Sequence, residues 1–344
     1  MQSRRFGGAV PEHLQSHFLA LRPRLFNSDA FWDYWQQMAL PASYEQSVIL
    51  HETRFTPYFA AKGYIWDTYV NTDDLCGVFV NPIMACPAEL LQKRDCPFFK
   101  RRSLFTPYAD ELRRTDGCAA GELYRYVKAH TEFPVDLLLA SLLQTQPMAA
   151  LAKNLHWNYV IAEPAAEVPD LAALGLRLLR YTLPAADPVT DWYNKKASAD
   201  ADALLGRAAQ LFEKKPLLGV LSPALPLWQG CAAARRTQWQ RDAWTLAEKA
   251  AVPVGSDPLP APNCGWLLVR EASFLDGIPP CTTQRDSGQL ALTAQAAGYY
   301  AAAFETAAQA AARADVLDVY EADAARPAAV AKHLGRLIKH KLQK

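Results

Sequence analysis

The sequence predicts a mixed α/β protein made of two related modules joined by a helical connector. About half of the 344 residues are apolar, which is enough to bury a sizeable core and to form roughly two domains. Apolar residues alternate in YIWDTYV, as they do in strands, and recur with helical spacing in FPVDLLLASLLQ. A faint internal duplication relates the two halves, so we expect both to carry the same layout.

Composition and spacing divide the chain into four segments. These are a first module at 1–110, a helical connector with a Pro/Ala-rich seam at 111–206, a second module at 207–325 and a basic amphipathic C-terminal helix at 326–344. The helical spacing of the connector runs from Glu122 to about Tyr159, and the seam begins near residue 165. The C-terminal helix is interpreted as a solvated terminal helix, with peripheral membrane contact as the alternative.

The first module should open with a strand that leads into a turn over Leu14–Leu25 and continue with a helix in SDAFWDYWQQM, capped by Ser28 or Asp29. Four residues share one face of this helix: Phe31, Tyr34, Trp35 and Met38. A buried core stripe is the main interpretation. The alternative is a platform on which a sugar stacks, and Trp35 would then bind substrate.

The stretch ILHETRFTPYFAAKGY places His51 and Glu52 at the start of a short amphipathic helix that stops at Gly63-Tyr64. A carboxylate at a helix N-terminus faces unpaired backbone N–H groups and the positive end of the helix dipole. This position suits a general base, and a simple stabilising role for the first turn is the alternative. The following YIWDTYV predicts a strand.

The duplication compares LQSHFLALR at 14–22 with PNCGWLLVR at 262–270. Each copy predicts a strand that ends in arginine, Arg22 or Arg270, followed downstream by a helix and Gly-Tyr. Counting back from the glycines aligns Glu52 with Ser287, so only the first copy keeps the carboxylate.

The charge balance and the missing motifs exclude several functional classes. Lys plus Arg (36) nearly equals Asp plus Glu (35), which gives no general attraction to nucleic acid or to an anionic membrane. No apolar run approaches a membrane span, so a cytoplasmic location is expected, including the inner face of the cytoplasmic membrane. The seven cysteines form no CxxC pair and the histidines no HExxH, so no protein-built metal site is expected. The GxSxG, GxxxxGK[ST] and GxGxxG signatures are also absent from the sequence.

The order of strand, arginine, loop, acidic residue, helix and Gly-Tyr resembles the acceptor-side half of A-type nucleotide-sugar transferases. A closer resemblance is to the rhamnan synthesis protein F family, carried by HLQSHFLALRPRLFNSDAFWDYW, HETRFTPYFAAKGY, NPIMACPAELLQKRDCPFFKRR and FPVDLLLASLL. The segments FEKKPLLGVLSPALPLW and PLPAPNCGWLLVR look like the later part of that family. The resemblance begins almost at Met1, so we expect that the nucleotide-binding half is missing and that the two modules are partial.

The resemblance implies a role in bacterial cell-surface polysaccharide synthesis. A deoxysugar such as L-rhamnose would pass from a nucleotide sugar, with Mg²⁺ or Mn²⁺ bound to it, to a glycan or lipid-linked glycan. Glu52 would be the base, and His51 would share or relay the proton, with a structural hydrogen-bonding role as the alternative for His51. The alternative is a non-catalytic glycan-binding or scaffold subunit that completes a partner transferase.

Seven further residues are candidates for binding substrate. His13, Gln15 and His17 alternate along the predicted first strand and would offer hydrogen bonds to a sugar, unless they lie on an exposed face. The cations Arg22, Lys100, Arg101 and Arg102 would meet a diphosphate. A local ion pair for Arg22 and a solvated loop for the KRRS cluster are the alternatives.

Overall fold

The computed structural model describes residues 12–75, 81–106, 118–162, 166–182, 203–224, 245–253, 265–308 and 310–311. It is mixed α/β, with one five-stranded mixed sheet. The chain divides into two compact units: Met1–Ser103 with Tyr108–Ala119, and Leu104–Pro107 with Ala120–Lys344. The C-terminal helix expected at 326–344 and much of the 165–206 seam lie outside the described residues.

The described part of the first unit consists of short helices and turns. Its elements are α1 (Pro23–Phe26), α2 (Asp29–Gln36), α3 (Tyr44–Ser47), a π-helical turn (Val48–Glu52), α4 (Thr53–Ala60), a 3₁₀ turn (Asp73–Leu75), α5 (Pro82–Ala85), α6 (Pro87–Lys93) and a 3₁₀ turn at Arg101–Leu104. The predicted cap of α2 is confirmed, because the Ser28 hydroxyl accepts a hydrogen bond from the Phe31 N–H.

Two strands predicted for the first unit are wrong. Residues 12–22 are irregular, and Pro23 then starts α1, so Arg22 precedes a helix instead of ending a strand. The segment 64–70 is also irregular, with Ile65 96% exposed. Alternation alone does not make a strand, because each strand needs a neighbour to pair with its backbone.

The aromatic residues of α2 and α4 form most of the core in this unit. Phe31 and Phe59 are buried with their ring centroids 6.2 Å apart. Tyr34 packs against Phe59 at 5.4 Å, whereas Trp35 lies at the rim and is 41% exposed. The predicted core stripe is therefore confirmed at Phe31, while Trp35 presents part of its ring to solvent.

The second unit carries the sheet and the longer helices. Its helices are α7 (Ala119–His130), α8 (Val135–Thr145), α9 (Met148–Leu155), α10 (203–214), α11 (245–250) and α12 (Gln284–Ala296), and its strands are β1 (Asn158–Ile161), β2 (Leu176–Arg180), β3 (Leu218–Pro223), β4 (Trp266–Arg270) and β5 (Tyr300–Thr306). The strand order is β1-β5-β3-β4-β2. Strands β1, β5 and β3 are parallel, whereas β4 is antiparallel to β3 and to β2.

The helices expected to form a connector belong to this second unit. The Gln295 side chain of α12 donates to the Leu143 carbonyl of α8 at 2.8 Å, and Leu142, Leu143 and Met148 are fully buried. The FPVDLLLASLLQ helix is thus confirmed as α8, and it packs as core against α12 within the second unit.

The two proposed copies share one feature, the way in which a helix ends. Gly63 and Gly298 both have φ +82°. In each copy the following tyrosine N–H donates to a carbonyl five residues back, Tyr64 to Phe59 and Tyr299 to Ala294. This is the Schellman stop, for which glycine is the usual residue. Only the second copy has the flanking strands, β4 and β5, so the structure does not confirm a two-module architecture.

Candidate active site

Glu52 lies inside a continuous helical segment. Segment α3, the π-helical turn and α4 follow one another from Tyr44 to Ala60, and Glu52 has helical dihedral angles (φ −57°, ψ −50°). The prediction that Glu52 opens the helix is therefore wrong, and so is the helix-dipole argument based on it. The π-helical turn widens the helix by one residue at this point, a feature that is frequent at functional sites.

Ser16, in the irregular segment that precedes α1, donates hydrogen bonds to the Glu52 carboxylate. The Ser16 N–H and hydroxyl donate to Glu52 Oε2, at 2.9 Å and 2.5 Å. Two residues earlier, the Leu14 N–H donates to Thr56 Oγ1 at 2.9 Å. Glu52 and Thr56, which lie on one face of the helical segment, thus accept the hydrogen bonds from the backbone of residues 14 and 16 that a neighbouring strand would otherwise accept.

Two histidines lie beside the carboxylate. His13 Nε2 is 3.9 Å from Glu52 Oε1, and the His13 side chain is 11% exposed against 23% for Glu52. Burial lowers the pKa of His17; the positive charge of Lys100 lowers it further, and the negative charge of Glu52 opposes both effects. His17 is therefore disposed to be a neutral imidazole near neutral pH, able to donate or accept a hydrogen bond.

Lys100 completes the group with a positive charge. Its Nζ donates to Gln15 Oε1 at 3.0 Å. Burial lowers the pKa of Lys100, the charge of Glu52 raises it and the charge of Arg102 lowers it. The structure therefore brings together five of the predicted residues, namely Glu52, His13, Gln15, His17 and Lys100. We call this set, with Ser16, the Glu52 cluster.

The Glu52 cluster combines what a sugar hydroxyl requires. Glu52 Oε2 accepts from Ser16, which leaves Oε1, on the His13 side, to accept another proton. The two imidazoles and the Gln15 amide can bond neighbouring hydroxyls. Lys100 supplies positive charge of the kind that a departing phosphate group needs.

His51 faces away from this chemistry. Its Nε2 is hydrogen-bonded to the Ala39 carbonyl at 2.8 Å, and its own carbonyl accepts from the Tyr34 hydroxyl at 3.3 Å. The first bond connects the π-helical turn to the loop after α2, and the second connects it to α2 itself. This geometry supports a positioning role for His51.

The remaining predicted residues lie outside the cluster. Arg22 is exposed at the start of α1, and Arg101 is exposed in the last 3₁₀ turn. Arg102 places its guanidinium carbon 5.2 Å from the centroid of the Tyr44 ring, a cation–π contact. Trp35 is joined to the aromatic core through Phe31, with ring centroids 6.0 Å apart.

Sequence reasoning missed Ser16 and Thr56. Both act through short polar side chains that have no signature spacing, so only the fold shows that they bind residues 36 and 42 positions away. The alternation of His13, Gln15 and His17 did point to this segment. The odd-numbered polar positions lie at the cluster, although the segment is not a strand.

The described residues do not fit a divalent cation site. No three His, Cys, Asp or Glu side chains form a metal-holding group in the described ranges. In the 3₁₀ turn Asp73–Leu75, the Asp74 carboxylate is already engaged, because Arg94 makes two hydrogen bonds of 2.7 Å to it. In the same ranges, no helix is long and apolar enough to span a membrane.

The comparisons with known proteins give one match. The family model described as rhamnan synthesis protein F matches residues 3–172, which include the whole Glu52 cluster and extend through β1. No curated protein and no solved structure matches the chain.

Proposed function

Through residues 3–172 the chain belongs to the rhamnan synthesis protein F family, and from this premise we propose that it transfers a deoxysugar to a growing polysaccharide. The family associates the chain with rhamnan polysaccharide synthesis. The proposal adds the reaction: L-rhamnose or a similar deoxysugar passes from a nucleotide sugar to a glycan or lipid-linked glycan acceptor. The observation that carries it is the Glu52 cluster, in which one carboxylate oxygen is held by Ser16 and the other lies 3.9 Å from His13 Nε2.

In the proposed step, Glu52 Oε1 takes the proton of the acceptor hydroxyl. The hydroxyl oxygen forms a bond to the anomeric carbon as the bond from that carbon to the diphosphate oxygen breaks, and the electron pair leaves with the diphosphate. A positioned general base contributes about 10²–10⁴-fold to such a rate. His13, Gln15 and His17 orient the sugar hydroxyls, and Lys100 offsets the negative charge of the leaving group.

Ser16 fixes the carboxylate in the orientation that this step requires. With two donors on Oε2, the carboxyl group cannot rotate without losing both hydrogen bonds. His51 positions the same turn through the Ala39 carbonyl. The cations Arg22, Arg101 and Arg102 are assigned to longer-range attraction of an anionic donor, since surface charges raise local substrate concentration.

The test is turnover of dTDP-L-rhamnose by the full chain, with Mg²⁺ and a lipid-linked glycan acceptor, and with a partner transferase added in a second series. Glu52→Gln should lower kcat by about 10²–10⁴-fold. The matched control is Glu45→Gln, an exposed glutamate of the same helical segment, which should leave kcat unchanged. Equal turnover by both variants would eliminate Glu52 as the base.

A second proposal is a glycan-binding subunit that completes a partner transferase. It is supported by three aromatic side chains at the edge of the first unit, each more than two fifths exposed: Phe26, Trp32 and Trp35. Such rings offer apolar faces to a sugar while costing little conformational entropy. Calorimetric titration with rhamnan oligosaccharides should give binding that Trp35→Ala weakens. Donor-dependent turnover by the isolated chain would contradict this alternative.

A further inference from the structure

Two phenylalanines lie beside the Glu52 cluster with much of their rings in solvent. Phe18 follows His17 in the chain, and Phe98 comes two residues before Lys100. The ring centroids of Phe18 and Phe98 are 4.9 Å apart with an interplanar angle of 37°, a separation typical of aromatic pairs. Phe18 is nevertheless 59% exposed and Phe98 is 40% exposed. The pair therefore presents apolar surface close to the polar side chains of the cluster.

A tight turn at residues 16 and 17, within the irregular segment, brings Phe18 to this position. Because the two ends of such a turn lie within about 7 Å of each other, Gln15 and Phe18 are neighbours. Both residues contact the same second segment. Gln15 Oε1 accepts a hydrogen bond from Lys100 Nζ at 3.0 Å, and the Phe18 ring packs against Phe98. Residues 15–18 and 98–100 therefore lie side by side, with the hydrogen bond at one end and the ring pair at the other.

The same turn makes the hydrogen bonds to Glu52. Ser16 lies at the centre of the turn, and its N–H donates to Glu52 Oε2 at 2.9 Å. Phe18 is two residues further on, so its Cα lies within about 7 Å of the Ser16 Cα, because consecutive Cα atoms are about 3.8 Å apart. A sugar ring is of similar size. A sugar that bonds Glu52 through one hydroxyl can therefore reach the Phe18 ring with another part of the same molecule.

The backbone that carries Phe98 is anchored to α6. The thiol of Cys96, a buried residue, donates to the Phe98 carbonyl at 3.3 Å. The Cys96 N–H donates in turn to the Leu90 carbonyl of α6 at 3.1 Å. A phenylalanine side chain has only two torsion angles, so holding its ring against a ligand costs little conformational entropy. The two rings are therefore a preformed contact surface.

We propose that the Phe18–Phe98 pair contacts the C6 methyl group of a deoxysugar whose hydroxyl groups bind the Glu52 cluster. A deoxysugar has two kinds of surface: its hydroxyls need hydrogen-bond partners, whereas its methyl group gains from apolar contact. A sugar with a hydroxyl at C6 would bind more weakly, because that hydroxyl would lose water against the rings without gaining a partner. The identity of the sugar rests on the proposed function, whereas the selection of its deoxy form by the two rings goes beyond it.

The experiment compares an oligosaccharide of α-L-rhamnose with the corresponding oligosaccharide of α-L-mannose, which differs only in the hydroxyl at C6. Calorimetric titration of the full chain should show about 4- to 10-fold tighter binding of the rhamnose form, the effect expected when one methyl group meets an apolar surface. Phe18→Ala and Phe98→Ala should each reduce this ratio to less than about 2-fold. The matched control is Tyr69→Ala, at an exposed aromatic residue of the same unit, and it should keep the wild-type ratio. A wild-type ratio in both phenylalanine variants, or equal binding of the two sugars by the wild type, would overturn the inference.

NMR of the unmodified sequence tests the contact without any substitution. In a deuterated chain with protonated phenylalanines, irradiation of the phenylalanine rings should transfer saturation to the C6 methyl protons of a bound rhamnose more strongly than to its anomeric proton. Transfer to the oligosaccharide assigns the rings to the acceptor sugar, transfer only to dTDP-L-rhamnose assigns them to the donor, and transfer to neither would contradict the contact. Glu52→Gln should keep the binding ratio of the two oligosaccharides while it lowers turnover, so a failure of the transferase proposal and a failure of the ring contact give different results.

Discussion

Replacing Glu52 by alanine should free the Ser16 amide. In the structure that N–H donates to Glu52 Oε2 at 2.9 Å, and a hydrogen bond to a charged group contributes about 1.5–3 kcal/mol. Because about 1.4 kcal/mol corresponds to a factor of ten, hydrogen exchange at Ser16 should accelerate roughly 10- to 100-fold. Glu52→Gln keeps an acceptor oxygen and should accelerate exchange by less than about 10-fold.

The assay is native-state amide exchange resolved to single residues. The Leu14 N–H is the internal control, because it donates to Thr56 Oγ1 and not to Glu52. Leu14 exchange should therefore change much less than Ser16 exchange in Glu52→Ala. Unchanged exchange at Ser16 in that variant would refute the contact on which the Glu52 cluster is built.

Three further predictions concern packing, thiol reactivity and pH. Gly206→Ala should strongly destabilise the second unit in urea titrations, because an added Cβ would lie 2.3 Å from the Ala166 carbonyl oxygen; Gly121→Ala, whose Cβ meets only a side-chain end at 3.4 Å, should be tolerated. Burial raises the pKa of the Cys86 thiol to about 11, so at pH 8 iodoacetamide should modify it roughly 100-fold more slowly than in the unfolded chain, and similar rates would contradict this. Because the pKa of His17 is lower in the folded chain, the unfolded chain binds this proton at a higher pH, and the free energy of unfolding should fall as the pH drops below about 6.5. His17→Gln should reduce the dependence of the free energy of unfolding on pH in this range. An unchanged dependence would contradict the assignment.

The elements that sequence predicted well are those with local signals. Helix α2 has its serine cap, α8 has its apolar spacing, and the glycines at 63 and 298 stop their helices through positive φ angles. These features depend on residues within one or two turns of each other. The predicted strand that ends at Arg270 also formed, and all but the last of its residues are buried, because β3 and β2 pair with it on both sides.

The misses in the first unit have one physical cause. Strand pairing is a long-range property, and alternation at 14–22 and 64–70 could not reveal that no neighbouring strand would be present in the described part of that unit. The side chains of Glu52 and Thr56 take the hydrogen bonds that a neighbouring strand would have made. The sequence also predicted that Glu52 starts a helix. This prediction was wrong because no local pattern indicates that α3 and the π-helical turn continue into α4.

The most direct test of the account compares Glu52→Gln with Ser16→Ala in a single-turnover transfer assay that uses dTDP-L-rhamnose and a lipid-linked glycan. Glu52→Gln should lower the transfer rate by about 10²–10⁴-fold, because the base is removed, and Ser16→Ala should lower it less, because it only loosens the carboxylate. The amide exchange of Ser16 should meanwhile accelerate by less than about 10-fold in Glu52→Gln, because the glutamine oxygen still accepts its hydrogen bond. Transfer at the wild-type rate by Glu52→Gln, with that contact intact, would contradict the assignment of Glu52 as the base.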